Sequence, residues 1–68
     1  MKVSKKIRRD IQKYLAETDK PASTREIALK IDRAWHSVQL NCMKLQLAEK
    51  IKGMKIGNMN VWTVKDER

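Results

Sequence analysis

The feature that most constrains the fold is the segment 34–49, AWHSVQLNCMKLQLAE. Its apolar residues Val38, Cys42 and Leu45 stand at positions i, i+4 and i+7, which lie on one face of an α-helix. Ile51 comes six residues after Leu45 and begins a two-residue alternation instead. The pattern therefore predicts a helix over 34–49 that buries one face and leaves the opposite face open.

The charge of the chain is strongly positive. Its 68 residues include 16 Lys and Arg against 8 Asp and Glu, a net charge of +8 at pH 7. Such a balance favours a polyanionic partner, most often nucleic acid. A solubility function, or the basic face of a ribosomal or membrane-surface protein, is the alternative. The length predicts a single domain over 1–68, ordered over about 4–65, with no room for a deep substrate cavity.

The sequence lacks the residue sets that catalysis and metal binding require. A single cysteine excludes an intramolecular disulfide and a cysteine-rich zinc site, and Cys42 lies on the inward stripe, where we expect a core residue. There is one histidine, and there is no glycine-rich phosphate loop. We therefore expect no enzymatic activity, no cofactor and no metal.

Neither a signal-peptide pattern nor an apolar run of membrane length is present in the sequence. We therefore expect no membrane partner and a cytoplasmic protein. It would be associated with the nucleoid, or located in the host-cell cytoplasm if it is viral.

Two further helices precede the 34–49 segment. Ser4 is placed to cap a first helix that runs to about Thr18, and Pro21 prevents its continuation. Ser23 and Glu26 match a capping box, which predicts a second helix from Thr24 to about Ile31. The expected inward residues are Ile7, Ile11, Tyr14 and Leu15 on the first helix and Ile27, Ala28 and Ile31 on the second.

Asp32 follows the second helix at the turn toward the third. A residue with left-handed backbone geometry is often needed there, and aspartate tolerates that geometry better than most residues. Alternatively, Asp32 caps the third helix. Residues 1–3 are expected to be frayed and residues 66–68 to form a tail.

The C-terminal part is predicted to form a β-hairpin. The segments 51–56 and 59–65 flank Gly57-Asn58, a dipeptide suited to a two-residue turn. Pairing Ile56 with Met59 places Gly53 opposite Trp62, where the glycine leaves room for the indole. The residues expected to pack on the helices are Ile51, Trp62 and Val64, and those expected on the outer face of the hairpin are Met54, Ile56, Met59 and Val61.

From Ile7 to Val64 the chain resembles the winged helix-turn-helix domains of small archaeal, bacterial and viral transcription regulators. The resemblance is carried by TREIALKI (24–31), by the spacing of Val38, Cys42, Leu45 and Ile51, and by NVWTV (60–64). It implies an α+β fold of three helices and a two-stranded β-hairpin wing. It also implies that helix 34–49 enters the major groove of duplex DNA, with the 51–65 hairpin as wing.

The sequence departs from this family pattern at three places. Glu49 stands where many members end the third helix with glycine, and Arg33 occupies a turn position that is commonly apolar. Trp35 is interpreted as packing in compensation, in preference to stacking on a base. The branch that binds left-handed DNA is disfavoured, because its wing prolines are absent and Met43 replaces its third-helix aromatic residue.

With Val38 at the centre of the core, the opposite face of the third helix is expected to face DNA. His36 and Gln39 are expected to contact base edges, and Leu40 and Met43 to touch thymine methyl groups. The remaining predicted contacts, to phosphate or the minor groove, are Thr24, Arg25, Arg33, Ser37, Lys44, Lys52, Lys55, Asn58 and Asn60. Binding to structured RNA is an alternative on charge alone.

The expected outer surface also carries apolar residues, which a monomer rarely exposes in such number without a use. A homodimer is the economical interpretation, since symmetric regulators bind paired half-sites. The residues expected to form it are Leu47, Met54, Ile56, Met59 and Val61. The competing function is a protein-interaction module in a transcription, replication or viral assembly.

Overall fold

The computed structural model describes residues 3–65, with side chains from residue 5 onward. Three helices are followed by a hairpin, as the sequence predicts, and a short strand lies between the first two helices. The elements are α1 (Val3–Thr18), β1 (Ala22–Ser23), α2 (Thr24–Ile31), α3 (Trp35–Leu47), β2 (Ile51–Ile56) and β3 (Met59–Val64). No helix within 3–65 is long and apolar enough to span a bilayer.

The helix boundaries follow from local chemistry. α1 begins at Val3, two residues ahead of Lys5, where a cap at Ser4 would start it, and the side chain of Ser4 lies outside the described residues. The Ser23 hydroxyl accepts a hydrogen bond from the Glu26 backbone N–H at 3.1 Å, which confirms the predicted cap of α2. Asp32 ends α2 with φ 59° and ψ 52°, so the left-handed prediction is confirmed. Ala34, not Asp32, is the N-cap residue of α3.

The C-terminus of α3 differs from the prediction. The helix ends at Leu47 rather than Glu49, and Glu49 adopts φ 59°, in the left-handed region. The Glu49 N–H bonds the Gln46 carbonyl and the Lys50 N–H bonds the Leu45 carbonyl, both at 2.9 Å. These two bonds form a Schellman motif, in which glycine is the preferred left-handed residue. The chain therefore keeps the usual helix ending and makes it with glutamate.

The hairpin register agrees with the prediction at every pair. Ile56 lies opposite Met59, Gly53 opposite Trp62 and Ile51 opposite Val64. Gly57 has φ 61°, the positive value that the first residue of a type II′ turn requires. A Cβ atom at Gly53 would lie 2.5 Å from Cζ3 of Trp62, so the glycine makes the space that the indole occupies.

The sheet has a third strand that the sequence analysis missed. β1 pairs antiparallel with β3, with Ala22 opposite Trp62 and Ser23 opposite Val61, so the strand order is β1-β3-β2. β3 is therefore the central strand. The predicted two-stranded wing is in fact the larger part of a three-stranded sheet.

The core joins all three helices to this sheet. Its largest fully buried side chains include Ile11, Leu15, Ile27 and Val38, and Tyr14 and Ile31 pack at its margin. Two predictions about β3 are wrong. Val61, expected on the outer face, is only 5% exposed because neighbouring strands flank it on both sides. Val64, expected in the core, is 42% exposed because β1 does not extend beside it.

Candidate nucleic-acid interface

The two faces of α3 have opposite environments. Val38 and Cys42 are completely buried and Leu45 nearly so, which confirms the predicted inward stripe. On the opposite face, Leu40 is 52% and Met43 is 49% exposed. The helix is therefore held by one side, and its other side is open along its length.

A shallow groove brings the start of α2, the start of α3 and the hairpin tip together. It has a volume of about 220 Å³ and is open to solvent. The groove is lined by Ser23, Thr24, Arg25, Trp35, Asn58, Met59 and Asn60. Four of the predicted contact residues, Thr24, Arg25, Asn58 and Asn60, are thus neighbours in space although they come from distant parts of the chain.

The Thr24 side chain is buried and forms hydrogen bonds within the protein, so it is not part of the solvent-facing surface. The side chain is 3% exposed, its hydroxyl donates to Oε1 of Gln39 at 2.7 Å, and it accepts from Nε1 of Trp62 at 2.8 Å. The prediction that this side chain faces phosphate is wrong. Its position at a helix start predicts a phosphate contact, whereas its burial arises from tertiary contacts with α3 and β3. Only its backbone N–H is placed to attract an anion.

Gln39 is anchored by the same hydroxyl. It is half-buried, and the hydrogen bond from Thr24 fixes its Oε1 atom. The amide is consequently held in one orientation before any ligand arrives. A side chain oriented in advance loses less entropy when it binds.

Trp35 lies in the groove instead of the core. It is 48% exposed, and its ring meets that of His36 edge to face, with 5.6 Å between ring centroids. The interpretation of Trp35 as a packing residue is wrong. Trp35 precedes Val38 by three residues and so lies on the same side of α3, but it belongs to the first turn, beside the groove, where the core does not cover it.

The other predicted contact residues differ in accessibility. His36, like Leu40 and Met43, is exposed on α3. The remaining exposed ones are Arg25, Lys44, Lys52, Lys55 and Asn58, and the half-buried ones are Arg33, Ser37, Gln39 and Asn60.

Two of the predicted lysines lie apart from the groove. Lys44 lines a cavity against α1, together with Arg8 and Lys50. Lys52 lies at the base of the hairpin beside Glu49, away from the tip. The predicted set is therefore divided between the groove and other surfaces.

Asn41 is a polar residue that sequence reasoning missed. It is 2% exposed, its Nδ2 donates to the Ser37 carbonyl at 2.7 Å, and its Oδ1 accepts from Nη1 of Arg8 at 3.1 Å. Its position beside Cys42 on the inward side of α3 was the available signal. The amide fixes a guanidinium of α1 against α3.

Cys42 behaves as a core residue. Burial raises the pKa of its thiol from 9.0 to about 12, because the charged thiolate is poorly solvated inside the protein. Within residues 3–65 no group of three or more His, Cys, Asp or Glu side chains is arranged to hold a metal ion.

The exposed apolar residues agree only partly with the predicted dimer surface. Leu47, Met54, Ile56 and Met59 are exposed, whereas Val61 is buried and cannot contribute to a dimer contact. Leu29 on α2 is also exposed and was not foreseen.

Comparison with known proteins establishes the fold. No family model and no curated protein matches the chain. Among solved structures, it is similar to a chain from a study of the DNA recognition and protein interaction domains of HOP2 and its homologous DNA pairing properties. The TM-score is 0.81 at 19% identity, and the alignment covers 85% of this chain and 97% of that chain. The fold is a winged helix, as predicted, while no matching family supports the narrower resemblance to archaeal, bacterial or viral regulators.

Proposed function

We propose that the protein binds duplex DNA, with the N-terminal half of α3 in the major groove and the β2–β3 hairpin as wing. The observation that carries this proposal is the division of α3 into a buried face and an open face, beside a groove that reaches the hairpin tip. A helix fixed in this way can enter a groove of DNA without unfolding any part of the domain.

The chemistry of the open surface supports the proposal. Arg25 and Asn58 flank the groove, and the start of α2 adds backbone N–H groups that attract phosphate. His36 is exposed in the first turn of α3, and Gln39 is held one turn further along. Phosphate contacts would orient the domain, and these two side chains would read base edges.

Transcriptional regulation is the role that we propose for such binding, with the protein acting in the cytoplasm and without enzymatic activity. The similarity to a domain from the HOP2 study supports DNA binding in general and not this particular role. A regulator requires preference for a DNA sequence. Sequencing the duplexes retained from a random pool measures that preference, and an unselected pool would contradict a regulatory role.

Fluorescence anisotropy with a labelled duplex of about two helical turns tests DNA binding itself. We expect affinity to fall steeply between about 50 and 200 mM salt, because phosphate contacts release counterions. Arg25→Gln should lower the slope of log affinity against log salt by about one. Lys30→Gln is the matched control, since it removes an exposed charge from the other end of α2. A flat salt dependence, or equal effects of the two variants, would contradict the proposal.

A protein-interaction module is the second candidate function, and the apolar residues of the open α3 face favour it. Leu40 and Met43 each leave about half of their surface uncovered. A homodimer is the simplest such complex. The double variant Leu40→Ser with Met43→Ser separates the two functions: loss of a complex in analytical ultracentrifugation with unchanged DNA affinity would favour the protein-interaction function.

A further inference from the structure

We propose that the protein has a second phosphate-binding surface, a basic groove along α1, which takes the backbone of a second nucleic-acid duplex. The basic groove consists of two adjoining cavities of about 300 and 410 Å³, which share Arg9, Gln12 and Lys50. Its cationic residues are Lys5, Arg8, Arg9, Lys13, Lys44 and Lys50.

The charge of this groove is only slightly compensated, by Asp10 and Glu17, which line a neighbouring cavity together with Lys13. Neither cavity has an acidic residue in its lining. In the part of the chain that the structure describes, none of the six cations lies within ion-pair distance of a carboxylate. Glu49 precedes Lys50 in sequence, but its carboxylate pairs with Lys65 at 3.1 Å. Six positive charges around one concave surface therefore form a site for a polyanion.

The spacing of the cations suits a nucleic-acid backbone. Lys5, Arg9 and Lys13 stand at i, i+4 and i+8 on α1, so they repeat about every 6 Å along the helix axis. Each strand of a duplex presents one charge per about 3.4 Å of its axis, and because the strand winds around that axis its neighbouring phosphates lie farther apart than this rise, so a helix that follows the strand can bring these residues to successive phosphates. Arg8 is held against α3 by the buried amide of Asn41 at 3.1 Å, which fixes one charge of the groove in place.

The basic groove is remote from the interface of the proposed function. It lies at the C-terminal end of α3 and at the open end of the hairpin, where Ile51 pairs with Val64. The candidate interface lies at the N-terminal end of α3 and at the hairpin tip. α3 has 13 residues, about 20 Å, and each hairpin strand has six residues, also about 20 Å. One domain can therefore present two separate phosphate-binding surfaces, and two duplexes can be held at its opposite ends.

An anionic membrane would also attract cations, but the groove lacks what membrane insertion needs. A membrane-bound helix lays an apolar face into the lipid. The outward positions of α1 along the groove are charged or polar except for Ala16. Of the other apolar lining residues, Leu45 and Ile51 are buried, and the exposed Ala48 and Val64 belong to different parts of the chain and form no apolar helix face. The groove therefore fits a phosphate backbone that stays in water.

A capture experiment tests the second surface. One duplex is immobilised on beads, protein is added to saturation, and a labelled duplex of unrelated sequence is supplied in solution. The groove variant is Lys5→Gln, Arg9→Gln, Lys13→Gln, and the matched control is Lys6→Gln, Lys20→Gln, Lys30→Gln. Both reduce the net charge from +8 to +5, and all six residues are exposed. Glutamine is well tolerated in the helices that carry five of them, and Lys20 lies in the turn after α1.

We expect the wild type and the control variant to retain the labelled duplex, and the groove variant to lose roughly an order of magnitude of that retention. Lys44→Gln with Lys50→Gln, which removes charge from the opposite wall, should reduce retention in the same way if the first variant folds poorly. Equal retention by the groove and control variants would overturn the proposal. Two duplexes bridged by a protein dimer would give this result, because neither set of substitutions touches a dimer contact.

Two further readouts separate this proposal from its alternatives. If the wild type captures no second duplex and the groove variant loses binding to phosphatidylserine vesicles, the occupant is a membrane and the proposal is overturned. Arg25→Gln with His36→Ala should reduce loading onto the immobilised duplex. Unchanged loading by that variant would overturn the proposed function, whereas the difference between groove and control variants would still support the basic groove.

Discussion

The hydroxyl of Thr24 gives the most direct test of how the interface is held together. It joins the start of α2 to β3 through the indole N–H of Trp62 and to α3 through the amide of Gln39. Thr24→Val keeps the shape of the side chain and removes both hydrogen bonds. Gln39 is half-buried and can turn to water, but Trp62 is 3% exposed, so its N–H loses its partner in the interior.

The cost follows from that unsatisfied donor. A buried polar group without a partner costs about 1–3 kcal/mol. The free energy of unfolding of a 68-residue domain is about 3–10 kcal/mol at the usual 0.05–0.15 kcal/mol per residue, so the change removes a large fraction of it. For a domain of this size, about 2 kcal/mol corresponds to a fall in melting temperature of about 8–16 °C.

A double-mutant cycle isolates the interaction from the change in packing. Trp62→Phe removes the N–H donor, so adding Thr24→Val in that background should cost little, with a coupling energy of at least about 1 kcal/mol. Urea unfolding followed by far-UV circular dichroism measures all four proteins. If Thr24→Val costs the same free energy in both backgrounds, the hydrogen bond does not stabilise the junction and the reasoning is refuted.

Three more predictions concern particular residues. Gly53→Ala should destabilise the domain by about 1–3 kcal/mol, since its Cβ would lie 2.5 Å from the Trp62 ring; unchanged urea unfolding would contradict this. Glu49→Gly should raise the free energy of unfolding by about 0.5–1 kcal/mol by relieving left-handed strain, while losing only the exposed ion pair with Lys65; a less stable variant would contradict this. Cys42 should resist a thiol reagent near neutral pH until urea unfolds the chain, and reaction in the folded state would count against its burial. The pKa of this thiol rises from 9.0 to about 12 on folding, so its contribution to the free energy of unfolding is complete below pH 9.0 and is lost as pH rises toward 12. Urea unfolding measured at several pH values across that range would show the loss.

Much of the fold was predictable because local patterns and tertiary packing agree in this chain. The spacing of Val38, Cys42 and Leu45 identifies the inward face of α3, and Gly57-Asn58 fixes the hairpin register. The Gly53–Trp62 pair was predictable for the same reason, since once the register is set the two residues must share a face. In each case the sequence interval that carries the pattern is short and continuous.

The missed features depend on contacts between distant segments. β1 has two residues, too few to show an alternation, and it exists because β3 offers a free edge. That strand in turn buries Val61, which alternation alone places outside. Thr24 and Asn41 are polar residues buried by partners from other elements, and no pattern within their own helices reports those partners.

The location of the candidate site on the protein surface was predictable from the sequence. The individual residues that belong to it were less predictable. The open face of α3 followed from helical periodicity, and Arg25 and Asn58 were placed near it by the resemblance to winged helices. The helical angle of Lys44 predicts the same surface, but this residue lies near the C-terminal end of α3, where α1 faces it. The direction of a long side chain depends on the neighbouring element, which periodicity does not describe.

The most direct test of DNA binding through α3 and the wing is amide chemical-shift mapping with a short duplex added below one equivalent. The largest changes should fall at the start of α2 around Arg25, in the first turns of α3 around His36, and at the hairpin tip around Asn58. The last turn of α2 around Lys30 should change little. Changes confined to α1, or the absence of any change, would contradict the proposed interface.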